Sequence, residues 1–231
     1  MRQKLSLLAF ACALGLGSAA TAQAASWDVT VTNLTNGNYF TPLLVASHDH
    51  DTHMFEVGES AATYPGIELM AECGDLSELT TTFDPMEQGI VENPNGGPLA
   101  PGASVTTTLT TAMGDTHLSV VAMILPTNDA FVGLNSVHID SEPGTYTFYM
   151  NAYDAGTEAN DELMSTGCDT STVGIPADPG GMAGSGGTAA SGNDGNTMIH
   201  VHRGILGGAS DLDSSIHRWQ NPVARVVVTV N

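Results

Sequence analysis

Positive charge is scarce in this chain of 231 residues, which carries five Lys and Arg against 25 Asp and Glu and has a formal charge of −20. Lysine occurs once, at Lys4. Because nucleic acids are bound by neutralising phosphate charge, a chain this acidic is not expected to bind them. A solvated acidic surface explains most of the imbalance. Carboxylates that do not belong to this solvated surface are available to bind cations.

Long apolar segments are also missing after residue 24, since no later stretch approaches the roughly 20 apolar residues that span a bilayer. Before that point, Arg2 and Lys4 precede a short apolar run, and Ala22-Gln23-Ala24 has the small-x-small form that a signal peptidase accepts. We therefore predict a cleaved signal peptide over 1–24 and a single domain over 25–231. The protein is expected to be secreted or periplasmic, without membrane insertion.

The predicted exported domain has only three cationic side chains, Arg203, Arg218 and Arg225, and a formal charge of −22. Arg225 lies in the predicted last strand, where we expect it to pair with a carboxylate.

Cysteine is equally rare. Cys12 falls within the predicted signal peptide, so Cys73 and Cys168 either form one disulfide or stay as two thiols.

Catalytic motifs are missing as well. The chain has no Gly-x-Ser-x-Gly, no His-Glu-x-x-His, no Cys-x-x-Cys and no phosphate-binding glycine loop that ends in Lys-Ser or Lys-Thr. We therefore do not expect an enzyme.

Alternation of apolar and polar residues, with many β-branched side chains, predicts six strands. Pro65 and the spacing of Ile67, Met70 and Leu79 predict one short helix. A Gly-rich stretch over 174–196 predicts a long surface loop. Together these features predict an all-β fold, an antiparallel β-sandwich. The predicted strands cover 27–33, 103–111, 117–125, 144–151, 198–202 and 224–230.

Four carboxylates lie within residues 153–162, directly after the predicted strand 144–151. Carboxylates packed this closely repel one another by about 1 kcal/mol per pair, and a cation relieves that repulsion. Asp129 follows another predicted strand, so its loop and that of Asp154 can lie side by side at one edge of a sandwich. Calcium needs six to eight oxygen ligands, which loops supply readily. An alternative is that these side chains cap turns and face water.

Three segments in this order resemble the spondin domain, the N-terminal module of the F-spondin and mindin matrix proteins, in its bacterial single-domain form. They read PTNDAFVGL over 126–134, YDAGTE over 153–158 and NPVARV over 221–226. Two earlier segments, PLLVASH over 42–48 and FEVG over 55–58, are similar to it too.

The resemblance implies a β-sandwich related in architecture to C2 domains, with a calcium ion held by Asp129, Asp154 and Glu158. Glu158 stands where the animal proteins tend to have Asp, so its longer side chain binds through both oxygens or from farther away. In animals the domain acts in cell adhesion. The chain lacks the thrombospondin-type repeats found there, so we expect a surface protein or a glycan as partner without assigning one.

Histidines offer an alternative metal site. On an extended segment residues i and i+2 point to the same side, so His48 with His50, or His200 with His202, can chelate one ion. Imidazole favours copper or zinc, and the competing function is a periplasmic or secreted copper- or zinc-binding protein. The other interpretation of these histidines is a structural or solvated role.

Overall fold

The computed structural model describes residues 25–83, 89–165, 168, 174–181, 195–208 and 210–231. It forms an all-β sandwich, as predicted, with ten strands in the described part. The strands are β1 (Ser26–Asn33), β2 (Tyr39–Phe40), β3 (Leu44–His48), β4 (Ile90–Glu92), β5 (Ser104–Thr110), β6 (His117–Leu125), β7 (Ala130–His138), β8 (Gly144–Asp154), β9 (His200–Val201) and β10 (Ala224–Val230).

Strand β8 connects the two halves of the sandwich. Its first part pairs with β10, which continues through β1 to β5. Its last four residues pair instead with β7, and β9 adds on at the same end. From β7 the sheet continues through β6 and β3 to β4. Paired strands are antiparallel throughout these ladders, so strand ends from distant parts of the sequence meet at one edge.

Strand β6 is buried on both faces, which explains its continuous apolar sequence. Val120, Ala122 and Ile124 pack into the core that also holds Trp27. The alternate residues Val121, Met123 and Leu125 face a second core beneath the helices. Because β6 separates the two cores, it fixes the positions of the neighbouring strand ends.

The helical segment predicted from Pro65 to Leu79 is present as two helices, α1 (Ile67–Cys73) and α2 (Ser77–Phe83). Gly74 ends α1 in the left-handed region at φ 67°, where its N–H bonds to the Met70 carbonyl. A third helix, α3 (Ser214–His217), was not predicted. None of the described helices has the length and apolar character needed to cross a membrane.

Cys73 and Cys168 form a disulfide, with 5.5 Å between their Cα atoms, which decides the question that the sequence left open. It ties the end of α1 to the segment after β8.

The predicted Gly-rich loop is described only over 174–181 and 195–196, and the predicted signal peptide over 1–24 lies outside the described residues. Arg225 is exposed and has no ion pair among the described residues, so its predicted pairing is wrong.

Candidate metal site at the edge of β7 and β8

Asp129 and Asp154 lie at one edge of the sheet. Asp129 directly precedes β7 and Asp154 is the last residue of β8, where it is the register partner of Ala130. The backbone N–H of Ala155 bonds to the Asp129 carbonyl at 3.2 Å. The two loops that the sequence placed side by side are therefore neighbours.

The Asp129 carboxylate is fully buried, and its two oxygens have different surroundings. Oδ2 accepts hydrogen bonds from the backbone N–H groups of Thr157 at 2.9 Å and Glu158 at 3.1 Å, and from the Thr157 hydroxyl at 3.3 Å. Oδ1 is buried without any hydrogen-bond partner among the described residues. A buried polar atom left unpaired costs about 1–3 kcal/mol, a cost that a bound cation or proton would remove.

The pKa of Asp129 also favours a bound proton or cation. Burial, and next the negative charge of Asp154, raise the pKa of Asp129 to about 7, although the hydrogen bonds from Thr157 and Glu158 oppose the shift. A carboxyl group with this pKa is disfavoured as an anion near neutral pH unless a positive charge lies beside it. The pair therefore favours binding of a proton or a cation.

Asp154 is nearly fully buried and hydrogen-bonded through both oxygens. Oδ1 accepts from the Gly156 N–H at 2.9 Å, and Oδ2 accepts from Asn160 Nδ2 at 2.6 Å. The Gly156 turn requires glycine, because its φ is 72° and a Cβ there would lie 2.9 Å from the backbone of Met198. The turn thus holds the loop folded over the two carboxylates.

Glu158 contributes its backbone to Asp129 but directs its side chain to another part of the loop. Its Oε2 accepts from the Gly174 N–H at 2.9 Å and from Asn128 Nδ2 at 3.4 Å. Burial raises the pKa of Glu158 to about 8; the Gly174 bond opposes the shift and Glu72 adds to it. This buried carboxyl group is likewise stabilised by a proton or a cation.

Two residues that organise the site were not predicted from the sequence. Asn128 donates to Glu158 and Asp161 and accepts from the Glu162 N–H at 3.1 Å, so it links both loops. Glu162 is buried and accepts from the backbone N–H groups of Leu206 at 2.7 Å and Gly207 at 2.8 Å. Its place among the four carboxylates of residues 153–162 was the only available signal, and that signal also allowed a side chain that faces water.

The two predicted histidine pairs lie at opposite ends of β7. His200 is the register partner of Asp154, at the end of β7 near Ala130. His48 is paired through His117 with His138, at the other end of this nine-residue strand. At about 3.3 Å per residue, the ends are roughly 26 Å apart. The structure therefore does not bring the two pairs together.

His202 is buried, and both of its ring nitrogens are hydrogen-bonded. Nδ1 accepts from the Gly204 N–H at 2.9 Å, so Nε2 carries the proton and donates to Asn160 Oδ1 at 2.8 Å. Burial lowers the pKa of His202 to about 4, opposed by Asp154. The ring packs on Trp219 at a centroid distance of 4.9 Å. This neutral imidazole links Asn160, and through it Asp154, to the core.

Among the described residues, no three His, Cys, Asp or Glu side chains already converge as ligands for a metal ion. The chemistry of the Asp129 and Asp154 pair nevertheless fits calcium, because calcium takes oxygen ligands only and also uses backbone carbonyls and water. The unpaired Oδ1 of Asp129 is the atom best suited to a cation.

Comparison with known proteins gives one family. The Spondin_N family model matches residues 32–175, more than half of the chain and including Asp129, Asp154 and Glu158. No curated protein matches the chain.

Proposed function

Since this chain belongs to the Spondin_N family of extracellular-type, non-enzymatic modules, we propose that it is an exported binding and adhesion module that holds a calcium ion at the edge of β7 and β8. Asp129 and Asp154 are the proposed central ligands, and Glu158 lies on the same loop. The remaining oxygens would come from backbone carbonyls and water, as is common for calcium.

The observation that supports calcium best is the buried Oδ1 atom of Asp129, which has no hydrogen-bond partner among the described residues while Oδ2 accepts three. A divalent cation would satisfy Oδ1 and cancel the repulsion from Asp154 that raises the pKa of Asp129. Calcium would then hold the 154–158 loop against the start of β7 and stabilise the folded state by mass action.

The proposed binding function rests on the family and on the surface charge. The family implies an extracellular-type module. The −20 formal charge disfavours nucleic acid as a partner. A surface protein or a glycan is the partner class that we propose.

Thermal unfolding in 1 mM calcium and in EDTA tests the calcium proposal. We expect calcium to raise the midpoint of the wild-type protein by several degrees, since ligand at about 100 times Kd stabilises by about 2.7 kcal/mol. Asp129→Asn should remove this difference while it preserves the side-chain shape. In EDTA the variant should be at least as stable as wild type, because the repulsion from Asp154 is gone.

The matched control is Glu142→Gln, which neutralises an exposed carboxylate outside the site. It should keep the full calcium effect. Equal midpoints of the wild-type protein in calcium and in EDTA would refute the calcium proposal. A calcium effect that persists in Asp129→Asn would instead place the ion elsewhere.

A further inference from the structure

A second cluster of metal-ligating side chains lies at the opposite end of β7. His48, His117 and His138 are register partners across β3, β6 and β7, so they form one row on the sheet. His50 follows β3 and reaches the same row. The ring centroids of His117 and His138 are 5.1 Å apart, and those of His50 and His117 are 6.3 Å apart.

Within this cluster His48 is the buried histidine. Its Nδ1 lies 2.6 Å from the Asp49 carbonyl, which only accepts hydrogen bonds, so Nδ1 carries the proton. Its Nε2 therefore accepts from the Ser119 hydroxyl at 2.8 Å, and Ser119 Oγ accepts from the Ser136 N–H at 2.8 Å. Since both nitrogens of His48 are bound within the protein, this ring supports the row and has no nitrogen left for an ion.

The other three rings each use one nitrogen and keep the second available. His117 Nδ1 lies 2.9 Å from the Thr116 hydroxyl, which leaves Nε2. His50 Nε2 lies 3.0 Å from Asp51, and His138 Nε2 lies 3.4 Å from Asp140, which leaves Nδ1 in each. These second nitrogens have no hydrogen-bond partner within the described ranges. A carboxylate behind a metal-bound imidazole is the usual arrangement that orients the ring and raises its basicity.

The spacing of the His117 and His138 rings suits one shared ion, and His50 completes the set only after its exposed ring rotates. With zinc–nitrogen bonds of about 2.0–2.1 Å, ring centroids lie about 3.2 Å from the metal, so two rings on a tetrahedral ion are about 5 Å apart, and up to about 6.4 Å apart at wider angles. The 5.1 Å between His117 and His138 matches two ligands of a tetrahedral ion, whereas the 6.3 Å between His50 and His117 is too wide for that angle, so His50 has to turn to join them. His50 and His138 are well exposed, with side-chain accessibilities of 72% and 57%, so their rings can turn toward a common point.

We propose that His50, His117 and His138 form a binding site for a zinc-like divalent transition-metal ion, separate from the calcium site at the other end of β7. Three imidazoles and a water complete a tetrahedral zinc ion. Asp51 and Asp140 would orient their histidines, while Asp49 and Asp115 add negative charge nearby.

Equilibrium titration of untagged, EDTA-dialysed protein with zinc tests this site. We expect one equivalent of zinc per chain in the presence of 1 mM calcium. His117→Gln and His138→Gln should each weaken zinc binding by more than 10-fold. Asp140→Asn should weaken it by about 10-fold through loss of orientation. Cobalt(II) substitution should give the intense visible absorption of a tetrahedral site.

His200→Gln is the matched control, a histidine variant at the opposite end of the strand, and it should bind zinc as wild type does. Circular dichroism of each variant separates loss of binding from loss of fold, and His138→Gln, at an exposed position, keeps the test valid if His117→Gln is unstable. Zinc affinity unchanged in folded His138→Gln, no zinc bound by wild type, or loss of binding in His200→Gln would each overturn the proposal. Asp129→Asn should leave zinc binding intact, so failure of one site does not decide the other.

Discussion

The backbone N–H of Glu158 donates a 3.1 Å hydrogen bond to Oδ2 of Asp129, 29 positions earlier in the chain. The bond fixes the loop after β8 on the carboxylate that precedes β7. It also shows that Glu158 serves the site through its main chain, while its side chain binds Gly174 and Asn128. Asp129 is therefore the residue on which the site depends most.

The metal-free protein should lose stability as the pH rises, because of Asp129. Its pKa is raised to about 7 in the folded state and is about 3.9 in an unfolded chain. The folded state thus holds a proton that the unfolded state releases, so the contribution is complete below pH 4 and is lost as the pH rises through 7. We expect Asp129 alone to contribute a loss on the order of 2 kcal/mol between pH 5 and pH 8 in EDTA, and the raised pKa of Glu158 to add a loss of the same sign, both measured by urea unfolding.

Asp129→Asn isolates this titration from that of other groups. As the pH rises, the unfolding free energy of the variant should increase relative to that of the wild-type protein. Saturating calcium should abolish the pH-dependent loss of stability in the wild-type protein. Parallel pH profiles for the two proteins in EDTA would show that Asp129 is ionised at all these pH values.

His202 should have the opposite effect on stability, because its contribution is lost as the pH falls. Its folded pKa is lowered to about 4, whereas an unfolded histidine titrates near 6.5. The unfolded chain therefore takes up a proton first, and the stability that neutral His202 provides is lost as the pH falls from about 6.5 to about 4. The advantage of wild type over His202→Gln should shrink by up to about 3 kcal/mol over this range, as measured by denaturant unfolding. A constant difference would contradict this prediction.

Glu162 should be essential for the segment that follows β9. Its carboxylate accepts from the Leu206 and Gly207 N–H groups and from the Ser210 hydroxyl at 2.8 Å. Glu162→Ala removes the buried acceptor of these partly exposed donors and should cost about 1–3 kcal/mol of unfolding free energy. Hydrogen exchange should then accelerate at Leu206 and Gly207, with Glu142→Gln as the control. Unchanged protection of both amides in Glu162→Ala would refute the role.

The Cys73–Cys168 disulfide should contribute strongly to stability, since it closes a loop with a sequence separation of 95. The chain-entropy model gives about 4.7 kcal/mol for a loop of this length. We expect the Cys73→Ser, Cys168→Ser double variant to unfold at a clearly lower urea concentration than wild type. In addition, reductant should shift the wild-type midpoint and leave that of the double variant unchanged.

Strand prediction succeeded for β1 and β10, in which buried and more exposed residues alternate, and for β6, whose nine residues form a long apolar run although both of its faces are buried. The predicted strands 117–125 and 224–230 match β6 and β10, and 27–33 differs from β1 by one residue. Strand β3 was missed because it has only five residues, all of them buried, so it shows neither alternation nor the length of β6. Strand β7 was also missed, because its first five residues are all buried and show no alternation. Strand β2 was missed because it has only two residues.

Prediction of the candidate site was more complete for carboxylates than for their partners. Asp129 and Asp154 lie side by side as expected, because the strands that carry them are antiparallel neighbours. Asn128 and Gly174 were not found, since an amide or a backbone N–H carries no distinctive sequence signal. His117 and His138 were missed as a pair because 21 positions separate them, and only the register of β6 with β7 makes them neighbours.

By itself the sequence determined the all-β class, the acidic character, the family resemblance and the presence of Asp129 and Asp154 after neighbouring strands, because composition, alternation and short motifs are local properties of the chain. The tertiary structure decided which oxygen of Asp129 is unpaired, that the His48 and His202 rings are buried with both nitrogens hydrogen-bonded, and that the four predicted histidines divide between the two ends of β7. These properties depend on burial and on the pairing of distant strands. Desolvation and cross-strand distance exist only once the chain has folded.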